Sequence, residues 1–192
     1  MKRITLTLAM SLAAFAFSAN LKAQSDDTND DHTITITVPE VALVDIEPSA
    51  SKNISLGFTA PTEAGLPITP SGTNNTLWLN YSSIKSVADA TRTVSVKVDA
   101  IIPGIDIKVT AAAATGTGDG TLGTPTAQLT LTAVDQTIIS GIGSAYTGDG
   151  ANNGHNLTYT LDAGSSSGTA LYADLEAVTN AGTTVTYTIS DN

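Results

Sequence analysis

Thr184-Val185-Thr186-Tyr187-Thr188-Ile189 alternates strictly, so Val185, Tyr187 and Ile189 fall on one side of an extended chain and three threonines on the other. A period of two carried by β-branched and aromatic residues predicts a strand with one buried and one wetted face. The same grammar recurs in Thr93-Val94-Ser95-Val96-Lys97-Val98-Asp99, in Ile105-Asp106-Ile107-Lys108-Val109, and over residues 128–133 and 156–161. It also governs His32-Thr33-Ile34-Thr35-Ile36-Thr37-Val38. Polar residues on one face of each run argue for antiparallel pairing, because parallel strands are usually buried on both faces. Residues 41–46, 54–58 and 76–84 predict further strands, giving about nine in all. Pro48, Pro61, Pro67, Pro70, Pro103-Gly104 and the glycine-rich stretches 116–123 and 148–154 supply the turns between them. Residues 170–178 are expected to form an irregular connection with at most a helical turn. Many short strands and no extended helical period point to an all-β fold, an antiparallel immunoglobulin-like β-sandwich.

Outward from these strands, the first 23 residues predict a secretory signal peptide. Lys2 and Arg3 precede an apolar run from Ile4 to Phe17, and Ala23 supplies a small residue ahead of Gln24. The run is too short for a membrane anchor. Residues 24–31 are acidic and lack apolar residues, predicting a flexible arm; residues 32–192 are expected to form one sandwich domain. Low-complexity residues 111–120 are expected to pass from a strand end into a loop. The sequence contains 8 Lys and Arg against 18 Asp and Glu, net −10. Removing Lys2, Arg3 and Lys22 with the signal leaves five basic residues and a net charge of −13. Such a surface repels phosphate backbones, so nucleic acid and anionic membranes are poor partners. Cysteine is absent, which excludes disulfides, thiolate metal sites and a lipidated cysteine. The expectation is therefore an exported protein of the periplasm, cell surface or medium.

Catalytic chemistry finds little to use. His32 and His155 are the only histidines; a serine triad built on His155 and Ser165, Ser166 or Ser167 lacks the Gly-x-Ser-x-Gly turn. Asp45 and Glu47, two apart on a strand, place their carboxylates about 7 Å apart, a spacing that a glycosidase pair approaches but that solvated strand charges also produce. No enzyme is expected. Asp149-Gly150-Ala151-Asn152-Asn153-Gly154 resembles the start of a calcium loop, and Asp149, Asn152 and Asn153 with Asp119 are weak calcium candidates. Ala151 and Thr160 stand where such a loop requires ligands, and the competing reading is an Asx-rich turn that satisfies its own backbone. In Leu77-Trp78-Leu79-Asn80-Tyr81, Trp78 and Asn80 share the face opposite the leucines. An outward Trp78 beside Asn80 would offer a sugar-stacking or subunit-anchoring site, whereas a covered one is structural.

The order of the alternating 32–38 run, Val41-Ala42-Leu43-Val44-Asp45-Ile46, Ile54-Ser55-Leu56-Gly57-Phe58, Leu79-Asn80-Tyr81 and Val94-Ser95-Val96-Lys97-Val98 resembles secreted bacterial fimbrial and adhesin-type sandwiches. It looks most like the cysteine-free pilins of the alternative chaperone-usher class, between His32 and Val109. The resemblance implies a fimbrial subunit in which an N-terminal strand completes a neighbouring subunit's sandwich, with Ile34, Ile36 and Val38 as the inserted, partner-binding residues. One departure is the C-terminal run 184–189, a well-formed strand able to complete the chain's own sandwich. The alternative expectation is a monomeric carbohydrate-binding or other ligand-binding module that uses Trp78 and Asn80.

Overall fold

The computed structural model describes residues 29–164 and 170–192; the expected signal peptide and Ser165, Ser166 and Ser167 lie outside them. Contacts divide the chain into Met1–Thr37 and a compact unit, Val38–Asn192. The strands are β1 (Val41–Glu47), β2 (Phe58–Thr59), β3 (Thr69–Pro70), β4 (Asn74–Ile84), β5 (Arg92–Val98), β6 (Ile105–Ala111), β7 (Asp119–Pro125), β8 (Leu129–Thr130), β9 (Gln136–Tyr146), β10 (His155–Ala163) and β11 (Val185–Asp191). Nine of them form one antiparallel sheet, with β11-β5-β9-β4-β10-β6-β8 in order, β1 on β4 and β7 on β9; β2 and β3 form a separate ribbon. The helical content of the described residues is two three-residue 3-10 turns, Ser49–Ser51 and Tyr172–Asp174. The fold is all-β and antiparallel, as the alternation predicts.

The two 11-residue strands organise the sheet. β4 carries β1 along residues 78–84 and β10 along residues 74–79, and meets β9 only where Ser82 and Ser83 face Tyr146 and Ala145. β9 also pairs with β5, from Gln136 to Ile142, and with β7, from Ile139 to Tyr146. Leu77, Leu79 and Tyr81 of β4, Val94, Val96 and Val98 of β5, Ile138, Ile139 and Ile142 of β9, and Leu157 and Tyr159 of β10 pack into a single core cluster. Strands that are not neighbours in the sheet touch through it. The Tyr159 and Tyr187 hydroxyls of β10 and β11 lie 2.6 Å apart, and the Tyr81 hydroxyl of β4 donates to the Leu122 carbonyl of β7. The sheet therefore folds back on itself around its apolar face.

Three expected strands differ. Residues 32–38 join no ladder, because alternation fixes which residues share a face but a strand also needs an edge to receive its backbone groups. Of residues 54–58 only Phe58 enters a strand, although Ile54 and Leu56 pack against the core; there the alternation reports burial without pairing. Of residues 128–133 only Leu129 and Thr130 form β8. Conversely, β7 and β9 arise in stretches where the sequence suggests turns or nothing regular. Gly141, at φ +71°, sits in β9 with open space where a side chain would be, and pairing with β5 shifts register between Arg92 and Ser95. Bulges of this kind break the period of two while leaving the strand intact.

Candidate functional site

Cross-strand partners point to the same face of a sheet, so the register defines three rows on the outer face of β4. Glu47, Trp78 and Asn156 form one; Asp45 and Asn80 form the next; Leu43, Ser82, Tyr146 and Asp119 form the third, across β1, β4, β9 and β7. Trp78 is half-buried and faces away from the core formed by Leu77 and Leu79. Asn156 beside it spends its amide on the carbonyls of Asn75, at 2.9 Å, and Leu77, at 3.3 Å.

Asn80 is buried at 5% exposure, because the segment after β9 folds over it. Its Nδ2 donates to the Asn153 carbonyl at 2.6 Å. Thr147 Oγ1 accepts the Tyr81 backbone N–H at 3.0 Å, pinning the start of that segment to β4. Gly154, at φ +74°, lies so close that an added methyl would run into the Leu79 carbonyl oxygen and the Asn80 amide. Asn80 Oδ1 is left without a hydrogen-bond partner, as is one other buried side-chain oxygen among the described residues, Asp106 Oδ2. An orphaned buried acceptor is costly, and Asn80 lines a cavity of about 270 Å³ with Leu43, Asp45, Ser82, Tyr146 and Asp149. A second cavity, of about 470 Å³, continues past Tyr146 to Asp119, Ser144, Val41 and Ile84; Trp78 lines neither. Asp45 is held ionised, below the usual carboxylate range, first by Lys52, whose Nζ lies 2.7 Å from its Oδ1, and also by the Ile46 N–H. Glu47 accepts the Ser49 N–H at 2.6 Å, so these two carboxylates are held by local bonds.

Comparison with known proteins finds no family model, no curated protein and no solved structure that matches this chain. Its own geometry has to carry the functional reading.

The structure places the calcium candidates Asp149, Asn152 and Asn153 in one turn and Asp119 at the start of β7. Asn153 Oδ1 accepts from the Thr117 N–H at 3.0 Å and Oγ1 at 3.2 Å, and its Nδ2 donates to the Asp149 carbonyl at 2.7 Å. That is the arrangement of a turn satisfying its own backbone. Asn152 is exposed at φ +70°, and Asp119 lies across Tyr146 in the second cavity. A different acidic group, Glu40, Asp89 and Asp191, converges instead, and the buried Arg92 guanidinium occupies its centre, bonded to Glu40 and Asp191. His155 is fully buried, with Nδ1 2.8 Å from the Ala112 carbonyl oxygen and Nε2 3.1 Å from the Tyr81 hydroxyl. Among the candidate partner-binding residues, Ile34, Ile36 and Val38 are 72%, 79% and 67% exposed and belong to no strand. Tyr146, central to both cavities, escapes the sequence reading because it ends the strand that the alternation does not reveal.

Proposed function

We propose that this is an exported structural or adhesive surface protein, of fimbrial-subunit type, that assembles by pairing residues 32–38 as a strand with another copy. We read the folded-back sheet as the two layers of an immunoglobulin-like sandwich. The observation that carries the proposal is the exposure of Ile34, Ile36 and Val38 on an alternating segment outside every ladder of the described residues. Leaving three such side chains in water forgoes roughly 1.5–3 kcal/mol each relative to full burial. A strand edge on another molecule would bury alternate side chains and pair the backbone in one step. The compact unit offers such edges, since β1, β7 and β11 are seven residues long and each is paired with one neighbour, β4, β9 and β5 respectively.

The test is light scattering with negative-stain imaging of the purified protein and of an Ile34→Asp/Ile36→Asp/Val38→Asp variant. Oligomers or filaments in the parent, and a monomer of unchanged thermal midpoint in the variant, are expected. A parent that stays monomeric at all concentrations, or a variant that assembles as well as the parent, overturns the reading.

A further inference from the structure

β11 bonds to its neighbour through even-numbered residues. The Asp99 N–H donates to the Thr184 carbonyl at 3.0 Å and the Asn192 N–H to the Thr91 carbonyl at 3.1 Å, in register with the Val185–Val98 and Asp191–Arg92 pairs of β11 and β5. Antiparallel pairs alternate between bonded and non-bonded. The N–H and C=O groups of Val185, Tyr187 and Ile189 therefore point away from β5, to a side where no strand of the described residues pairs. The side chains of the same three residues pack against the core but are only partly buried. One row thus presents unpaired backbone and incompletely covered apolar surface together. From Val185 to Ile189 the strand also lacks the charge, proline or glycine that blunts an exposed edge.

The other two seven-residue edges are partly spent or broken. On β1 the Ile46 N–H is taken by Asp45 Oδ1 at 2.7 Å and the Val41 carbonyl by Arg92, while Asp45 and Glu47 put charge along the strand. On β7, Gly120 at φ +91° and Gly123 at φ +73° interrupt the extended chain, and the register slips between Gly120 and Leu122. Pro125 at its end has no N–H to give.

We propose that residues 32–38 of one copy pair with the free edge of β11 in a second copy, with Ile36 beside Tyr187; this rests on the strand-pairing assembly proposed above. Ile34, Ile36 and Val38 repeat every two residues, as Val185, Tyr187 and Ile189 do. A single register therefore sets three exposed side chains beside three half-covered ones on one face. Donor and receiver are different surfaces of the chain, so the contact is head-to-tail and extends into a filament or closes as a ring.

The chain has no cysteine, so introduced cysteine pairs report the edge directly. Thr35→Cys is combined with Thr188→Cys, which it faces if the strands run antiparallel, or with Thr186→Cys, which it faces if they run parallel. Thr35→Cys with Ala42→Cys on β1 and with Thr121→Cys on β7 serve as comparisons. All five residues are exposed, and an unchanged thermal midpoint verifies each fold. After mild oxidation, one of the two β11 pairs should give a ladder longer than a dimer on a non-reducing gel, and the β1 and β7 pairs should give none. Amide exchange at Val185, Tyr187 and Ile189 should slow about tenfold in the oligomer relative to the Ile34→Asp/Ile36→Asp/Val38→Asp variant. Oligomers that cross-link through β1 or β7 or through none of the three edges, or that leave exchange at those amides unchanged, overturn the assignment to β11 while assembly stands. A monomer carrying an internal disulfide overturns pairing between copies. A parent that never oligomerises removes the assembly reading itself, and the assignment with it.

Discussion

His155 packs in the core with its ring stacked on Tyr81, centroids 5.6 Å apart, and with Nδ1 donating to the Ala112 carbonyl. Burial is the main reason that its pKa falls below the ordinary 6.5, partly offset by the backbone carbonyls of Ala112 and Leu122. The sign follows from linkage. Because the unfolded chain takes up the proton more readily than the folded one, the contribution of His155 is fully present above about 6.5 and is lost as pH falls through the folded pKa. The thermal midpoint should therefore drop between about pH 7 and pH 5, a range above the ordinary carboxylate titrations. His155→Gln, which does not titrate, should be less stable at neutral pH and show a flatter profile over that range. Parallel profiles for the two proteins would show that another group is responsible. Asn80 makes a related point, since its residue type suggested a ligand contact and its position makes it first an anchor for the segment above it.

At the scale of elements, the segment after β9 shows what alternation reveals and what it conceals. Strands β4, β5, β6, β10 and β11 are legible because each presents an unbroken face of branched or aromatic residues to one core. β9 is not, although Ile138, Ile139 and Ile142 are fully buried: adjacent isoleucines and the bulge at Gly141 erase the period that marks a strand. The candidate site was correspondingly half legible. Asn80 could be assigned to an outer face from its spacing, but Tyr146 and Asp149 reach it through a strand and a loop whose path depends on tertiary pairing. The Thr117–Asn153 contact holds that path, and Asn153→Ala removes an acceptor for the Thr117 N–H and a donor to the Asp149 carbonyl. Urea unfolding should register a loss of about 1–2 kcal/mol, and amide exchange at Thr117 should accelerate in the native state. An unchanged unfolding midpoint together with unchanged exchange would mean that the loop is held by Gly154 and Thr147 instead.

At the scale of the whole molecule, the sheet has to bring its first and last strands to one corner, and a single buried cation does so. Arg92, 1% exposed, donates from Nε to Asp191 at the end of β11, at 2.5 Å, and from Nη2 to Glu40 just before β1. Its Nη1 donates to the carbonyls of Val41 and of Ile84, the latter at 3.1 Å. The guanidinium thus joins β1, β4, β5 and β11, which sequence alone places far apart. Asp191 and Glu40 are half-exposed, so water covers part of the loss if the cation is removed; the Val41 and Ile84 carbonyls lose a fixed donor. Breaking a buried charge pair from one side generally costs about 3–5 kcal/mol, and the partial exposure of the carboxylates argues for the lower end, about 3 kcal/mol. Arg92→Met should lose that much in urea unfolding with little change in m-value. Arg92→Lys should recover only a small part, because one ammonium on a flexible stem does not reproduce a planar fork directed at several acceptors. If the lysine variant matches the parent, the corner needs a charge and not a geometry, and the guanidinium is not what ties the ends of the sheet together.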